Sequence, residues 1–93
     1  MKSEVIRLNR ELNNLKVDYI LVDYRHSNES EILIRRENDW LGILIHKGKY
    51  RDKIISLRVI RSTSSMTEVY SGIICNEWKL SGRDVAEVRT IYN

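Results

Sequence analysis

From residue 17 to residue 75 the chain reads as five short apolar runs, and no polar stretch between them exceeds six residues. Parallel neighbours need a crossover of a dozen or more residues, whereas antiparallel neighbours need only a tight turn. Connections this short therefore demand hairpins. The runs are "VDYILVDY" (17–24), "EILIRR" (31–36), "WLGILIH" (40–46), "KIISLRVIR" (53–61) and "TEVYSGIIC" (67–75). All are rich in β-branched and aromatic residues, as strands are. In 17–24 neither face is cleanly polar, which marks a central strand. In 53–61, Ile55, Leu57 and Val59 alternate with Ser56 and Arg58, so one face is apolar. Gly42, inside the third run, signals a bulge or a close neighbour.

Helical signals sit outside the runs. In "SEVIRLNRELNNLK" (3–16), Val5, Leu8, Leu12 and Leu15 recur at spacings of three and four residues, which predicts an amphipathic helix. Ser3 suits its N-cap, and Glu4 and Lys16 suit the two ends of its dipole. In "LSGRDVAEVRTIYN", Ser81 and Asp84 have the spacing of a capping box, Leu80 can staple to Val85, and Val85, Val88 and Tyr92 make a stripe. That spacing predicts a second helix over about 82–92. The expectation is an α+β domain spanning 1–93: a five-stranded antiparallel meander sheet flanked by N-terminal and C-terminal helices, in the order α-β-β-β-β-β-α.

Several functions are argued against by what the chain lacks. Its longest uncharged apolar stretch is Trp40–Ile45, far short of the roughly 20 residues that span a membrane. The first apolar residues are followed by Arg7 and Arg10, unlike a secretory leader. The single cysteine, Cys75, has no internal partner, so a cytoplasmic setting is expected. "GIICNEW" reads as a strand end with a partly buried thiol. There is no CxxC, HxxxH or dense acidic loop, so no metal is expected. The four glycines have no phosphate-cradling spacing, so no cofactor is expected either. His26 and His46 can serve acid–base chemistry only if the fold joins them, as in a metal-free ribonuclease. Otherwise they are surface residues, and the chain reads as non-enzymatic.

Charge is the positive signal. The net charge is +3, and residues 1–45 and 54–93 cancel between them, so "HKGKYRDK" (46–53) carries the whole excess. Lys47, Lys49, Arg51 and Lys53 flank Tyr50 there, and Gly48 lets a hairpin tip protrude. Arg35 and Arg36, with Arg58 and Arg61, widen the basic patch if the strands bring them alongside. Three uses follow. The cations can bind phosphates while Tyr50 stacks on a base. They can dock into an acidic protein groove with Tyr50 as anchor. Or they can simply keep a hairpin soluble and blunt edge pairing.

In size and in lack of motifs the chain is similar to the small proteins with which phages and mobile elements block host defence, such as anti-CRISPR proteins. The likeness covers no alignable stretch. It implies an inhibitor or adaptor that occludes a protein or nucleoprotein target. Direct nucleic-acid binding through the same loop is the alternative. The meander leaves an edge free, so either a monomer or a homodimer is compatible with it.

Overall fold

A computed structural model describes residues 3–93. It has two helices and five antiparallel strands: α1 (Glu4–Leu15), β1 (Tyr19–Tyr24), β2 (Glu29–Arg35), β3 (Trp40–Lys47), β4 (Asp52–Ile60), α2 (Met66–Ile74) and β5 (Val85–Ile91). The sheet order is β4-β3-β2-β1-β5. The first four strands form the expected meander. The α+β class and the strand number agree with the sequence reading, but the last two elements exchange identity.

The predicted fifth strand, 67–75, is helix α2. Ser65 caps it: the Ser65 hydroxyl accepts the Glu68 N–H, and the Glu68 carboxylate accepts the Ser65 N–H, a complete capping box. Met66, Val69 and Ile73 are buried at helical spacing. The predicted helix, 82–92, is strand β5, paired with β1. A register shift between Asp23 and Tyr24 sets Tyr24 opposite Val85 and Asp23 opposite Glu87, leaving Ala86 as the extra residue. That bulge puts Val85 and Val88 on the same face, three residues apart. Helical spacing is thereby imitated by a strand.

The helices cover opposite faces of the sheet. Leu12 of α1, with Val5 and Leu8, packs on Tyr19, Leu21, Ile32, Ile43 and Ile45. Helix α2 packs on Ile20, Val22, Leu33, Trp40 and Leu44. Ser3 caps α1 as expected, accepting the Ile6 N–H at 3.2 Å, and its hydroxyl donates to the buried Asp52 at 3.1 Å. This ties the start of α1 to the start of β4. Leu15, assigned to the buried stripe by its spacing, is exposed, and Lys16 ends the helix in a left-handed conformation. Cys75 also differs from expectation: at the C-cap of α2 its thiol is exposed.

The α2 face holds a buried ion pair. Glu31 of β2 is fully buried, and Arg58 of β4 binds it with two hydrogen bonds of 2.8 and 2.7 Å. Between those strands lies Gly42 of β3. A Cβ there would stand 2.7 Å from Glu31 Oε2 and 2.9 Å from both Arg58 Cγ and Leu33 Cδ2. Gly42 is therefore the close neighbour its position implied, the gap through which the pair meets. The Tyr24 hydroxyl donates to Glu31 Oε1 at 2.8 Å, and Arg58 also donates to the Trp78 carbonyl at 2.5 Å. Burial, and then the Glu31 carboxylate, push the Tyr24 phenol well above its ordinary range.

Candidate binding site

An antiparallel meander sends alternate turns to opposite ends of the sheet. The β1–β2 turn and the β3–β4 turn share one end, and the β2–β3 turn lies at the other. The register makes this explicit: Glu29 stands opposite His46, whereas Arg35 stands opposite Trp40. Seven residue steps along β3 take the chain from Trp40 to Lys47, roughly 23 Å at the usual rise. Arg35 and Arg36 are therefore not brought to the basic hairpin. Each has a local partner instead: Arg35 lies 3.7 Å from Asp18, and Arg36 binds Asp39 at 2.6 Å, holding the Asp39 carboxyl below its usual range. Arg58 is committed to Glu31, and Arg61 follows the far end of β4.

The hairpin itself is built tightly. The Gly48 N–H donates to the Arg51 carbonyl at 3.2 Å, and a Cβ on Gly48 would lie 2.5 Å from that oxygen. Only glycine fits the turn without displacement. The β1–β2 turn braces it: the Lys47 N–H donates to the Asn28 carbonyl at 2.9 Å, and the Asn28 amide donates back to the Lys47 carbonyl. Asn28 is left-handed there, a conformation asparagine tolerates better than most residues. Two turns are thus locked side by side.

The cations at this end fall into two groups. Lys47 is drawn to Asp23, 3.5 Å away, and Arg83 to the buried Glu29 at 3.2 Å. Both are partly neutralised and hold the end together. Arg25, Lys49, Arg51 and Lys53 have no carboxylate within ion-pair distance among the described residues, and all four are exposed. Asp52, the anion of the loop, points away into its bond with Ser3. Tyr50 is 76% exposed, with the Lys49 ammonium 5.3 Å from its ring centroid. Asp84 adds an exposed carboxylate on the Arg25 side, so positive charge is strongest around Lys49–Lys53.

The sequence reading missed Arg25 and Arg83 as members of this end. The signal was present: the first and third turns of a meander must share one end of the sheet, which places Arg25 and His26 at the same end as Lys47. His26 and His46 also come to this end, both exposed. Among the described residues no group of three His, Cys, Asp or Glu side chains is placed to hold a metal ion. No described helix is long and apolar enough to cross a membrane. No family model, no curated protein and no solved structure matches the chain.

Proposed function

We propose that this chain is a non-enzymatic binding module, an inhibitor or adaptor that occludes an acidic surface of a larger protein or nucleoprotein with its basic hairpin tip. The observation that carries the reading is the arrangement of residues 49–53. Three unpaired cations surround a protruding, solvent-exposed tyrosine on a turn that the neighbouring β1–β2 turn braces through Asn28. Charged groups that are already satisfied add little to association, whereas unpaired ones steer a partner of opposite sign. An exposed tyrosine with few rotatable bonds is a typical interface anchor. Such bracing lowers the ordering cost of binding.

Direct nucleic-acid binding is the second reading, and one observation favours it. Arg25 stands at the same end of the sheet, with its guanidinium toward the Val85 carbonyl at 3.5 Å, so cations are spread along that end rather than gathered at one point. Cations so spread can track successive phosphates while Tyr50 stacks on a base.

The two readings separate in one experiment. Labelled duplex DNA, single-stranded DNA and RNA are titrated at 50 and 200 mM salt with the native chain and with the K47A/K49A/R51A/K53A variant. In parallel, a photo-crosslinking side chain at position 50 is activated in a cell lysate. The protein reading expects no oligonucleotide binding at 50 mM salt and a discrete crosslinked partner that the variant fails to capture. Salt-sensitive oligonucleotide binding lost in the variant would establish the nucleic-acid reading instead. A tip that captures neither would overturn both.

A further inference from the structure

We infer that β4 is a self-pairing edge: two copies of this chain join through antiparallel β4–β4 pairing about a two-fold axis at Arg58. The inference is independent of what the basic tip binds. The sheet order leaves two edges, β4 and β5. They are built differently. Strand β5 is bulged at Ala86 and carries an exposed Glu87–Arg89 ion pair at 3.3 Å, features that protect an edge from pairing. Strand β4 has nine residues and exposes Ile54, Ile55, Leu57 and Val59 by 42 to 64%. A long apolar edge with unpaired backbone groups is a template for another strand.

The register follows from the same features. The β3–β4 ladder shifts between Leu44 and Ile45, so the regular part of β4 begins at Ser56 and ends at Ile60. Its centre is Arg58. Antiparallel self-pairing about that residue sets Leu57 opposite Val59 of the second copy, and Ser56 opposite Ile60. Arg58 meets its own counterpart, but its guanidinium is drawn inward across Gly42 to Glu31 and the Trp78 carbonyl, away from the edge. Its charge is neutralised by the buried carboxylate. Within 54–60 there is no other charge, so nothing along the segment repels a copy of itself. Lys53 and Arg61, just outside it, restrict slippage to other registers. The isologous arrangement closes on itself, because each copy uses the one edge left unprotected among the described residues. It also sends the two basic tips to opposite ends, roughly 46 Å apart at the usual strand rise.

A contact confined to one strand pair is small, so the dimer should be reversible and concentration-dependent. Sedimentation velocity of the full chain from 1 to 500 µM should show a rising dimer fraction. L57K, at an already exposed position, should shift the midpoint at least tenfold upward while leaving the circular-dichroism melt of dilute protein unchanged. Mixed L57C and V59C proteins, each also C75S, should oxidise to the heterodisulfide in preference to either homodisulfide. A dimer that forms equally well with L57K, a preference for the Leu57 homodisulfide, or open-ended growth would each overturn the two-fold pairing. So would a monomer at every concentration, which would leave the edge to a strand of another protein.

Discussion

Replacing Arg58 with methionine isolates the energetics of the buried ion pair. Methionine keeps the unbranched stem that packs over Gly42 and removes the charge. Glu31 would stay at 0% exposure with Tyr24 as its remaining donor in place of three hydrogen bonds. Removing one partner of a buried pair costs roughly 3–5 kcal/mol, because a charge is left uncompensated in a poorly solvated site. Arg58 is itself 24% exposed, so water already reaches part of the pair and the lower end, about 3 kcal/mol, is expected. For a domain of this size that lowers the midpoint of thermal unfolding by roughly 12–24 °C. The double variant E31M/R58M removes both charges and leaves only the Tyr24 hydroxyl and Trp78 carbonyl short of a partner. Its cost should be about 1–2 kcal/mol, less than that of R58M alone. Urea denaturation of the four proteins in the cycle measures the coupling, with the slope checked for two-state behaviour. An R58M cost under about 1 kcal/mol, or single costs that add within about 0.5 kcal/mol, would refute the claim that this pair is a coupled buried unit.

Three further outcomes test neighbouring parts of the argument. Gly42→Ala should destabilise by about 1–3 kcal/mol in the same denaturation assay, because its methyl group must displace a carboxylate pinned by Arg58 and Tyr24. Ser65→Ala should cost about 1 kcal/mol and lower helical ellipticity, since the α2 capping box loses its acceptor. Tyr24 is held neutral by burial and by Glu31, and burial also raises Tyr19, so both should ionise late when absorbance at 295 nm is followed against pH. A phenol whose folded value is raised contributes stability below its unfolded value, about 10, and loses it as pH climbs further. The native chain should therefore weaken above about pH 10, and Tyr24→Phe, less stable at neutrality, should converge with it there.

How much of the fold was legible depends on where periodicity is unambiguous. Strands β1 to β4 were visible because their connections are too short for anything but hairpins. Helix α1 was visible because its apolar residues recur over three turns behind a serine cap. The exchange of α2 and β5 has a specific cause. "MTEVYSGII" is composed like a strand, with two isoleucines, a valine, a threonine and a tyrosine. What makes it a helix is its capping box and a buried stripe that meets the sheet, both outside the reach of residue propensity. "VAEVRTI" has helical spacing only because a bulge adds one residue to a period of two. The "SGRD" signal was a false cap: the chain there forms a turn, with the Arg83 N–H donating to the Leu80 carbonyl at 3.2 Å.

The candidate site was half legible, and topology decides which half. The cations of 47–53 were named from sequence because charge excess is a local property. Arg35 and Arg36 were grouped with them because both clusters border strand β3, and nearness in sequence stood in for nearness in space. A meander contradicts that grouping without any coordinates. Its second turn must lie a full strand length from its third, while its first turn must lie beside the third. Parity therefore removes Arg35 and Arg36 from the tip and brings Arg25 to the same end of the sheet, and the register of Glu29 against His46 bears this out. Arg83 escaped for a different reason. It reaches the same end only because α2 carries the chain back across the sheet to start β5 beside Tyr24, a crossover that no local pattern announces. The same crossover seals the β1 side of the sheet with a charged, bulged strand. It leaves β4, with its one central charge turned inward to Glu31, as the edge open to pairing.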